Sequence, residues 1–318
     1  MTDARVHELA ADHGLGGRAT WRDDGSEMTV ANDDLMAWLL EGDPSIRWRV
    51  HRDLLGSSDE RIKAARARVA TEGWGAKLIA LQDPDGRWGG GDYTLKWIST
   101  TYTLLHLLWL GLPPENPAAL AGCERLWESH AQWRVPETCI ASMLVRLTAA
   151  HRYHAEGLVD LVDYLLDQQL DDGGWNCAAR GDPGKHSSFH TTIQALEALY
   201  AYQQAGGGSN QEAQARGREF FLRHQLYKSH RTGQVAIRSS TRFPQLPQWH
   251  FDVLRGLDTS LTWTQIRTND SRMPLRSCGT RVGPTAVGRP TPDTPAGPGS
   301  GWRNRVRAGG IPSGSCVC

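Results

Sequence analysis

Long apolar stretches are missing from this chain of 318 residues. No run approaches the ~20 apolar residues that a membrane-spanning helix needs. The N-terminal segment, Met1 to Asp34, is polar and lacks the apolar core that marks a secretory signal. We therefore expect no transmembrane segment and a cytoplasmic location.

An excess of either charge is also missing, because 35 Lys and Arg residues balance 35 Asp and Glu residues. A chain without net charge has no general attraction to nucleic acid or to an anionic membrane, so we expect no nucleic-acid partner. The six cysteines include no Cys-x-x-Cys pair and no disulfide-framework spacing. Two interpretations of them remain open: reduced thiols, or separate metal ligands.

The chain divides into three zones by composition. Residues 1–34 are polar and poor in periodicity, which predicts a disordered lead-in, and residues 35–258 carry nearly all the apolar periodicity. Residues 259–318 are rich in Pro, Gly and Arg, as in PTPDTPAGPGSG at 290–301. Such a stretch cannot bury enough apolar surface to offset its ordering entropy. It is either a disordered tail or the product of a frame shift near residue 259.

A repeated element lies within the middle zone. The segments 78–90 and 164–177 each end a helical pattern with a Gln and reach a Trp six residues later, as Gln82 with Trp88 and Gln169 with Trp175. The stretches 97–111 and 189–202 follow, with leucines at three- and four-residue spacing, which is typical of helices. Related "second" helices are predicted at 44–56, 137–154 and 247–258, and "first" helices at 60–72, 74–82, 117–130, 157–169 and 211–225. Alternating helical hairpins without a strand pattern predict an all-α fold.

The Gln-x5-Trp element resembles the repeat of the squalene and oxidosqualene cyclases and the Gly-Gly-aromatic turn of the protein prenyltransferase β-subunits. The resemblance covers about residues 44–258, and a third copy at 224–235 keeps only Gln225 and Gly233. It implies an α/α toroid in which the first helices surround the second helices and the heads of the second helices line a central cavity. Whether the ring is complete or incomplete at its C-terminal end stays open. In that family the Gln caps a neighbouring helix end and the Trp stacks on it.

The acidic motifs of the terpenoid cyclases are missing. The resemblance implies an Asp-x-Asp-Asp motif for alkene protonation, or Asp-Asp-x-x-Asp for magnesium diphosphate, and this sequence has neither. Its adjacent acids Asp33–Asp34 and Asp171–Asp172 form pairs only. We therefore expect a toroid fold without an assigned reaction.

The resemblance to prenyltransferase β-subunits also implies a zinc site. Those proteins use Asp-x-Cys at the head of one second helix and a His at the head of a later one. Here Glu137 and Cys139 take the first place and His190 the second, with Cys177 on the loop before it. Three protein ligands would leave a position for substrate or water. The alternative is that Cys139 is a small buried residue and His190 a helix-start cap.

Other candidate residues lie near the predicted helix heads. We expect Trp97, Trp249 and Lys96 to bind substrate, with Arg231 from a basic segment clamping a phosphate. We expect His250 and Asp252 to supply acid–base chemistry. Alternatives stay open: the tryptophans pack between helices, Asp252 pairs with Arg255, and Arg231 lies on a solvated loop.

These features predict a toroid protein that acts on, or binds, an isoprenoid or another large apolar substrate. Two alternatives remain. One is a non-catalytic toroid that binds a ligand or a partner protein, and the other is a zinc-dependent toroid enzyme acting on peptide thiols, as lanthipeptide cyclases do. Two expectations about the cofactor stay open, zinc or none, and the oligomeric state is left open.

Overall fold

The computed structural model describes residues 20–23, 26–29, 33–131, 137–177, 186–244, 246 and 248–263. These residues are mostly helical, which confirms the predicted helical class. The α-helices are α1 (Asp33–Leu40), α2 (Pro44–Arg49), α3 (Asp59–Ala67), α4 (Gly73–Ile79), α5 (Thr100–Leu110), α6 (Pro117–His130), α7 (Thr138–His151), α8 (Leu158–Asp167), α9 (Phe189–Gln204), α10 (Gln211–Arg223) and α11 (Val253–Trp263). A π turn (Val50–Leu54) extends α2, and 3₁₀ turns occur at Arg68–Ala70 and Arg238–Thr241.

A short antiparallel hairpin departs from the all-α prediction. Strands β1 (Thr20–Asp23) and β2 (Ser26–Thr29) pair with Trp21 opposite Met28. They lie in the zone for which the sequence predicts a disordered lead-in. The chain divides into two units between Thr259 and Ser260. The second unit, apart from the end of α11, lies outside the described residues, and with it the tail and frame-shift interpretations. In the described part of the chain, no helix is long and apolar enough to cross a membrane.

Polar residues set the beginnings of several helices. Asp43 accepts the backbone N–H of Ser45 ahead of α2, and Asn116 accepts that of Ala118 ahead of α6. Each is followed by a proline, whose fixed φ suits the first helical position. Ser188 accepts the N–H of Thr191 at the head of α9. Side-chain caps at these sites explain why the observed helix starts agree closely with the predicted ones.

The two Gln-x5-Trp turns have the same contacts. The Gln82 amide donates to the carbonyl oxygens of Gly86 and Ala118, both at 2.8 Å. The Trp88 indole N–H donates to the carbonyl oxygen of Leu78 at 2.8 Å, and the Trp88 backbone N–H donates to the Thr100 hydroxyl at 3.1 Å. Each turn therefore joins the end of one first helix, the start of the next and the head of a second helix.

The second copy repeats this arrangement atom for atom. Gln169 donates to the carbonyl oxygens of Gly173 (2.7 Å) and Ala213 (2.8 Å). Trp175 donates from its indole to the Leu165 carbonyl (2.7 Å) and from its backbone to the Thr192 hydroxyl (3.0 Å). Because the bonds correspond, the internal repeat seen in the sequence is a repeat of structure.

Each of these tryptophans packs over a glycine in the next first helix. A Cβ atom on Gly122 of α6 would lie 2.7 Å from Cζ3 of Trp88, and one on Gly217 of α10 would lie 2.9 Å from Cζ3 of Trp175. Both indoles are almost fully buried. The glycines make room for the rings in the middle of helices, where glycine is otherwise unfavourable.

The second helices pack against one another in sequence order. α5 packs against α7, and α7 packs extensively against α9. The Trp48 indole of α2 donates to the Leu110 carbonyl at the end of α5. The first helices cover these contacts: α6 packs on α5 and α7, α8 on α7, and α10 on α9. The buried core lies between the two sets.

Two second helices begin later than the sequence predicts. α5 begins at Thr100, not at residue 97, because Ser99 has an extended backbone and Trp97 has a φ of 131°. α11 begins at Val253, not at residue 247, because Gln248 has a φ of 54°. Trp97 and Trp249 therefore lie on the segments that lead into these helices.

Candidate metal centre and aromatic site

Three of the four predicted metal ligands lie together at the head of α7. Glu137 precedes the helix, Cys139 is in its first turn, and Cys177 follows Trp175 on the next loop. One ligand atom from each residue lies within 4.8 Å of the other two. The Cys139 Sγ is 3.9 Å from a Glu137 carboxylate oxygen. This set, which we call the Glu-Cys-Cys cluster, could hold a metal ion.

The repeated turn fixes the position of Cys177. Trp175, two residues earlier, is anchored through its indole to Leu165 and through its backbone N–H to Thr192. The Cys177 Sγ then accepts the backbone N–H of Cys139 at 3.2 Å and lies 3.4 Å from the Thr191 hydroxyl. The cluster therefore lies between the first turns of α7 and α9.

The donor set fits zinc. Thiolates and carboxylates are ordinary zinc ligands, and soft thiolates favour zinc over magnesium or calcium. Cys139 is buried and Cys177 is half-buried, while Glu137 is exposed. A site with three protein ligands and one exposed side leaves a coordination position that substrate or water can reach.

His190 takes part in a different contact. Its Nδ1 accepts the backbone N–H of Phe251 at 2.8 Å. A neutral imidazole that accepts at Nδ1 carries its proton on Nε2, which is then a donor and not a metal ligand. His190 is accordingly not part of the Glu-Cys-Cys cluster, although its neighbour Thr191 contacts Cys177.

A group of rings lies at the heads of three second helices. Its members are Trp97, Tyr102, His190, Trp249 and His250, and we call it the aromatic group. Trp249 and His250 are stacked with ring centroids 3.9 Å apart. Trp97 lies 5.1 Å from Tyr102 and 5.6 Å from His250, and the ring of His190 lies 5.1 Å from that of Trp249. The predicted residues Trp97, Trp249 and His250 are thus brought together.

Lys96 joins the aromatic group as a cation. Its Nζ lies 5.6 Å from the centroid of the Trp249 ring. The backbone here is strained, because Leu95, Trp97 and Gln248 have φ values of 63°, 131° and 54°. A left-handed backbone is energetically costly for residues other than glycine. It is found most often at functional sites, where it helps to fix the position of a side chain.

Asp252 and Arg231 belong neither to the Glu-Cys-Cys cluster nor to the aromatic group. Asp252 is buried, and its carboxylate accepts the backbone N–H of Arg255 at 2.9 Å, so it caps α11. Burial raises its pKa. Arg231 is exposed on the loop after α10. The acid–base role of Asp252 and the phosphate role of Arg231 stay predictions.

A buried network of ion pairs contacts the backbone of the aromatic group. Glu197 of α9 binds Arg146 of α7 and Arg255 of α11. Arg255 also donates to the backbone carbonyl oxygens of Gln248 and His250, the latter at 2.7 Å. The network therefore holds the backbone that carries the stacked rings of Trp249 and His250. Sequence reasoning missed it, because these three residues lie far apart in the chain and belong to no motif.

Tyr102 and Thr191 were also missed. Both belong to the Thr-Thr-containing helix heads at Thr100–Thr101 and Thr191–Thr192, which the sequence marks as repeated. No protein-family model, curated protein or solved structure matches this chain.

Proposed function

We propose that this chain is a zinc-dependent α/α toroid protein, similar to the prenyltransferases, that acts on a substrate with a large apolar part. The observation that carries the proposal is the position of the Glu-Cys-Cys cluster beside the aromatic group. Thr191 contacts Cys177, and the adjacent His190 contacts the rings of Trp249 and His250. The Glu-Cys-Cys cluster and the aromatic group thus both contact the head of α9.

Electrostatic attraction between charges on the first and last second helices supports a closed ring. Burial raises the pKa of Asp258 in α11, and the nearby charges of Arg49 and Arg52, from α2 and its π extension, act in the opposite direction. α11 is joined to α9 by Arg255 and Glu197, and α2 is joined to α5 by Trp48. We infer that α2, α5, α7, α9 and α11 form the inner circle.

In this proposal Glu137, Cys139 and Cys177 hold the zinc ion. A bound zinc ion supplies a Lewis acid that lowers the pKa of a coordinated thiol or water. Cys177 is held by the N–H of Cys139, and Glu137 offers a carboxylate oxygen from the exposed side. The chain itself orients the three donors and leaves the remaining direction to the substrate.

The aromatic group would bind the apolar part of the substrate. Offset and edge-to-face rings offer a large, rigid apolar surface, and such surfaces suit isoprenoid chains. Lys96, at 5.6 Å from the Trp249 ring, offers a positive charge for an anionic end. His190, with Nδ1 fixed by Phe251, presents the ring edge that carries Nε2–H.

Metal analysis tests the proposal. The purified protein, dialysed against zinc and then against buffer, should retain about one zinc ion per chain, as expected for one site with three protein ligands. Cys139→Ala and Cys177→Ala should lose it. Cys123→Ala is the matched control, because Cys123 is fully buried and its Sγ lies against the Leu147 carbonyl near the C-terminal end of α7, whereas the cluster lies at the head of that helix. A wild-type protein that retains no zinc would contradict the metal-dependent function.

Ligand-binding measurements distinguish an isoprenoid substrate from a peptide thiol. A fluorescent isoprenoid diphosphate and a thiol-containing peptide should be offered separately to the zinc-loaded protein. Trp249→Ala should weaken isoprenoid binding, whereas Trp38→Ala, which alters an exposed indole in α1, should not. Binding of the peptide alone would contradict the isoprenoid assignment and favour peptide-thiol chemistry.

A further inference from the structure

Cys139 and Cys177 are both thiols, and their sulfur atoms lie within 4.8 Å of each other. The two residues are far apart in sequence, so a bond between them would join the head of α7 to the loop before α9. An S–S bond is about 2.05 Å long, so the two sulfur atoms have to approach each other for the bond to form.

We propose that Cys139 and Cys177 are a redox-active dithiol that hydrogen peroxide or an organic hydroperoxide converts to an intramolecular disulfide. This inference goes beyond the proposed zinc-dependent function and does not require it. It uses the same sulfur atoms in a second way.

The Cys177 sulfur is the one that reacts with the oxidant. It is half-buried, whereas Cys139 is only 5% exposed. Its Sγ accepts the backbone N–H of Cys139 at 3.2 Å and lies 3.4 Å from the Thr191 hydroxyl. Both neighbours belong to first turns of helices, so the Cys177 sulfur is held between the heads of α7 and α9.

Cys139 is the sulfur that resolves the oxidised product. Its Sγ is directed to a Glu137 carboxylate oxygen at 3.9 Å, and this carboxylate can accept the thiol proton. Cys177 as a thiolate attacks one oxygen of the hydroperoxide, the O–O bond breaks, and hydroxide or alkoxide leaves, to be protonated by solvent. Cys139 then attacks the sulfur of the sulfenic acid and the S–O bond breaks. The Cys139 proton passes by way of the Glu137 carboxylate to the departing hydroxyl group, which leaves as water.

The two uses of the site exclude each other. A disulfide sulfur is no longer a thiolate, so oxidation removes two of the three metal ligands, and a bound metal in turn occupies the lone pairs that attack the oxidant. Oxidation would therefore switch off metal binding, and reduction would restore it.

Peptide mapping tests the dithiol. The full chain, treated with a chelator and then with equimolar hydrogen peroxide, is alkylated and digested with trypsin. Cys139 lies in the tryptic peptide 135–146 and Cys177 in 153–180, so their disulfide gives one cross-linked species. We expect this species to form and to disappear on addition of dithiothreitol. In Cys139→Ser the Cys177 peptide should instead carry a sulfenic acid, which dimedone traps.

Two controls make the result specific. Burial raises the pKa of the Cys123 thiol to about 12, so its peptide should remain alkylatable throughout. A variant with Cys278, Cys316 and Cys318 replaced by serine should give the same cross-link. Separate, fully alkylatable Cys139 and Cys177 peptides after peroxide would overturn the proposal. Metal content is measured on separate samples, so loss of the zinc function and loss of the disulfide are distinguishable.

Discussion

Arg255 binds Glu197 through two of its guanidinium nitrogens, Nε to Oε1 at 2.9 Å and Nη2 to Oε2. The side chain of Arg255 is 1% exposed and that of Glu197 is 8% exposed. Arg146 binds the same carboxylate from α7. Burial alone would raise the pKa of Glu197, but the two arginines outweigh burial and lower it. One carboxylate therefore compensates two buried cations and joins three helices.

Removal of this carboxylate should be costly. In Glu197→Gln the charges of Arg146 and Arg255 remain buried without the carboxylate that pairs with both, and removal of one partner from a buried pair typically costs about 3–5 kcal/mol. The free energy of unfolding in urea should fall by that amount. Glu219→Gln, on the exposed face of α10, should change it by less than about 0.5 kcal/mol. Equal effects of the two variants would contradict the role of the network.

The pH dependence of stability should report on His151. This residue is fully buried at the end of α7, and burial lowers its pKa to about 4 from an ordinary value of 6.5. The unfolded chain therefore takes up a proton at a higher pH than the folded chain does. Stability is fully present above about pH 6.5 and is lost as the pH falls toward 4, by up to about 3 kcal/mol.

A substitution isolates this contribution. His151→Leu should flatten the loss of unfolding free energy between pH 6.5 and 4, measured by urea titration at each pH. His154→Gln changes an exposed histidine three residues later and should leave the loss unchanged. A wild-type profile that is flat across this range would contradict a lowered pKa of His151 in the folded protein.

At Gly217, helix propensity favours alanine, whereas packing favours glycine. Alanine is favoured over glycine inside a helix by about 1 kcal/mol. A Cβ on Gly217, however, would lie 2.7 Å from Leu196 Cδ2 and 2.9 Å from Trp175 Cζ3, and overpacking of a filled core costs about 1–3 kcal/mol. We expect Gly217→Ala to be destabilising overall, by thermal unfolding. Gly208→Ala, where nothing lies within 4 Å, should be neutral or stabilising.

The features that could be predicted from the sequence are those that depend on residues close together in the chain. The Gln82 and Gln169 turns could be predicted because each turn is built from residues close in the chain, and its signature occurs twice. Helix limits could be predicted where a side-chain cap is present, as at Asn116. They were wrong by several residues before Val253, because the left-handed backbone of Gln248 has no sequence signature.

The candidate site could be predicted only in part. The resemblance brought Glu137, Cys139 and Cys177 to attention, and they lie together. It also assigned His190, whose Nδ1 instead accepts the N–H of Phe251, a contact between residues too distant in sequence to be read from a pattern. The Glu197 network was not predictable for the same reason, since buried charges carry no periodic signal.

The equivalence of the two repeats gives a quantitative expectation. Gln82 and Gln169 each donate to two backbone carbonyl oxygens at 2.7–2.8 Å, and loss of the donor leaves acceptors in a partly buried turn, which costs about 1–3 kcal/mol. Gln82→Ala and Gln169→Ala should therefore lower the free energy of unfolding by similar amounts, and Gln168→Ala, next to the turn, by much less. Because the turns lie more than one helix apart, the double variant should be additive within about 0.5 kcal/mol. A large effect from one turn only would mean that the second copy keeps the geometry of the repeat without its contribution to stability.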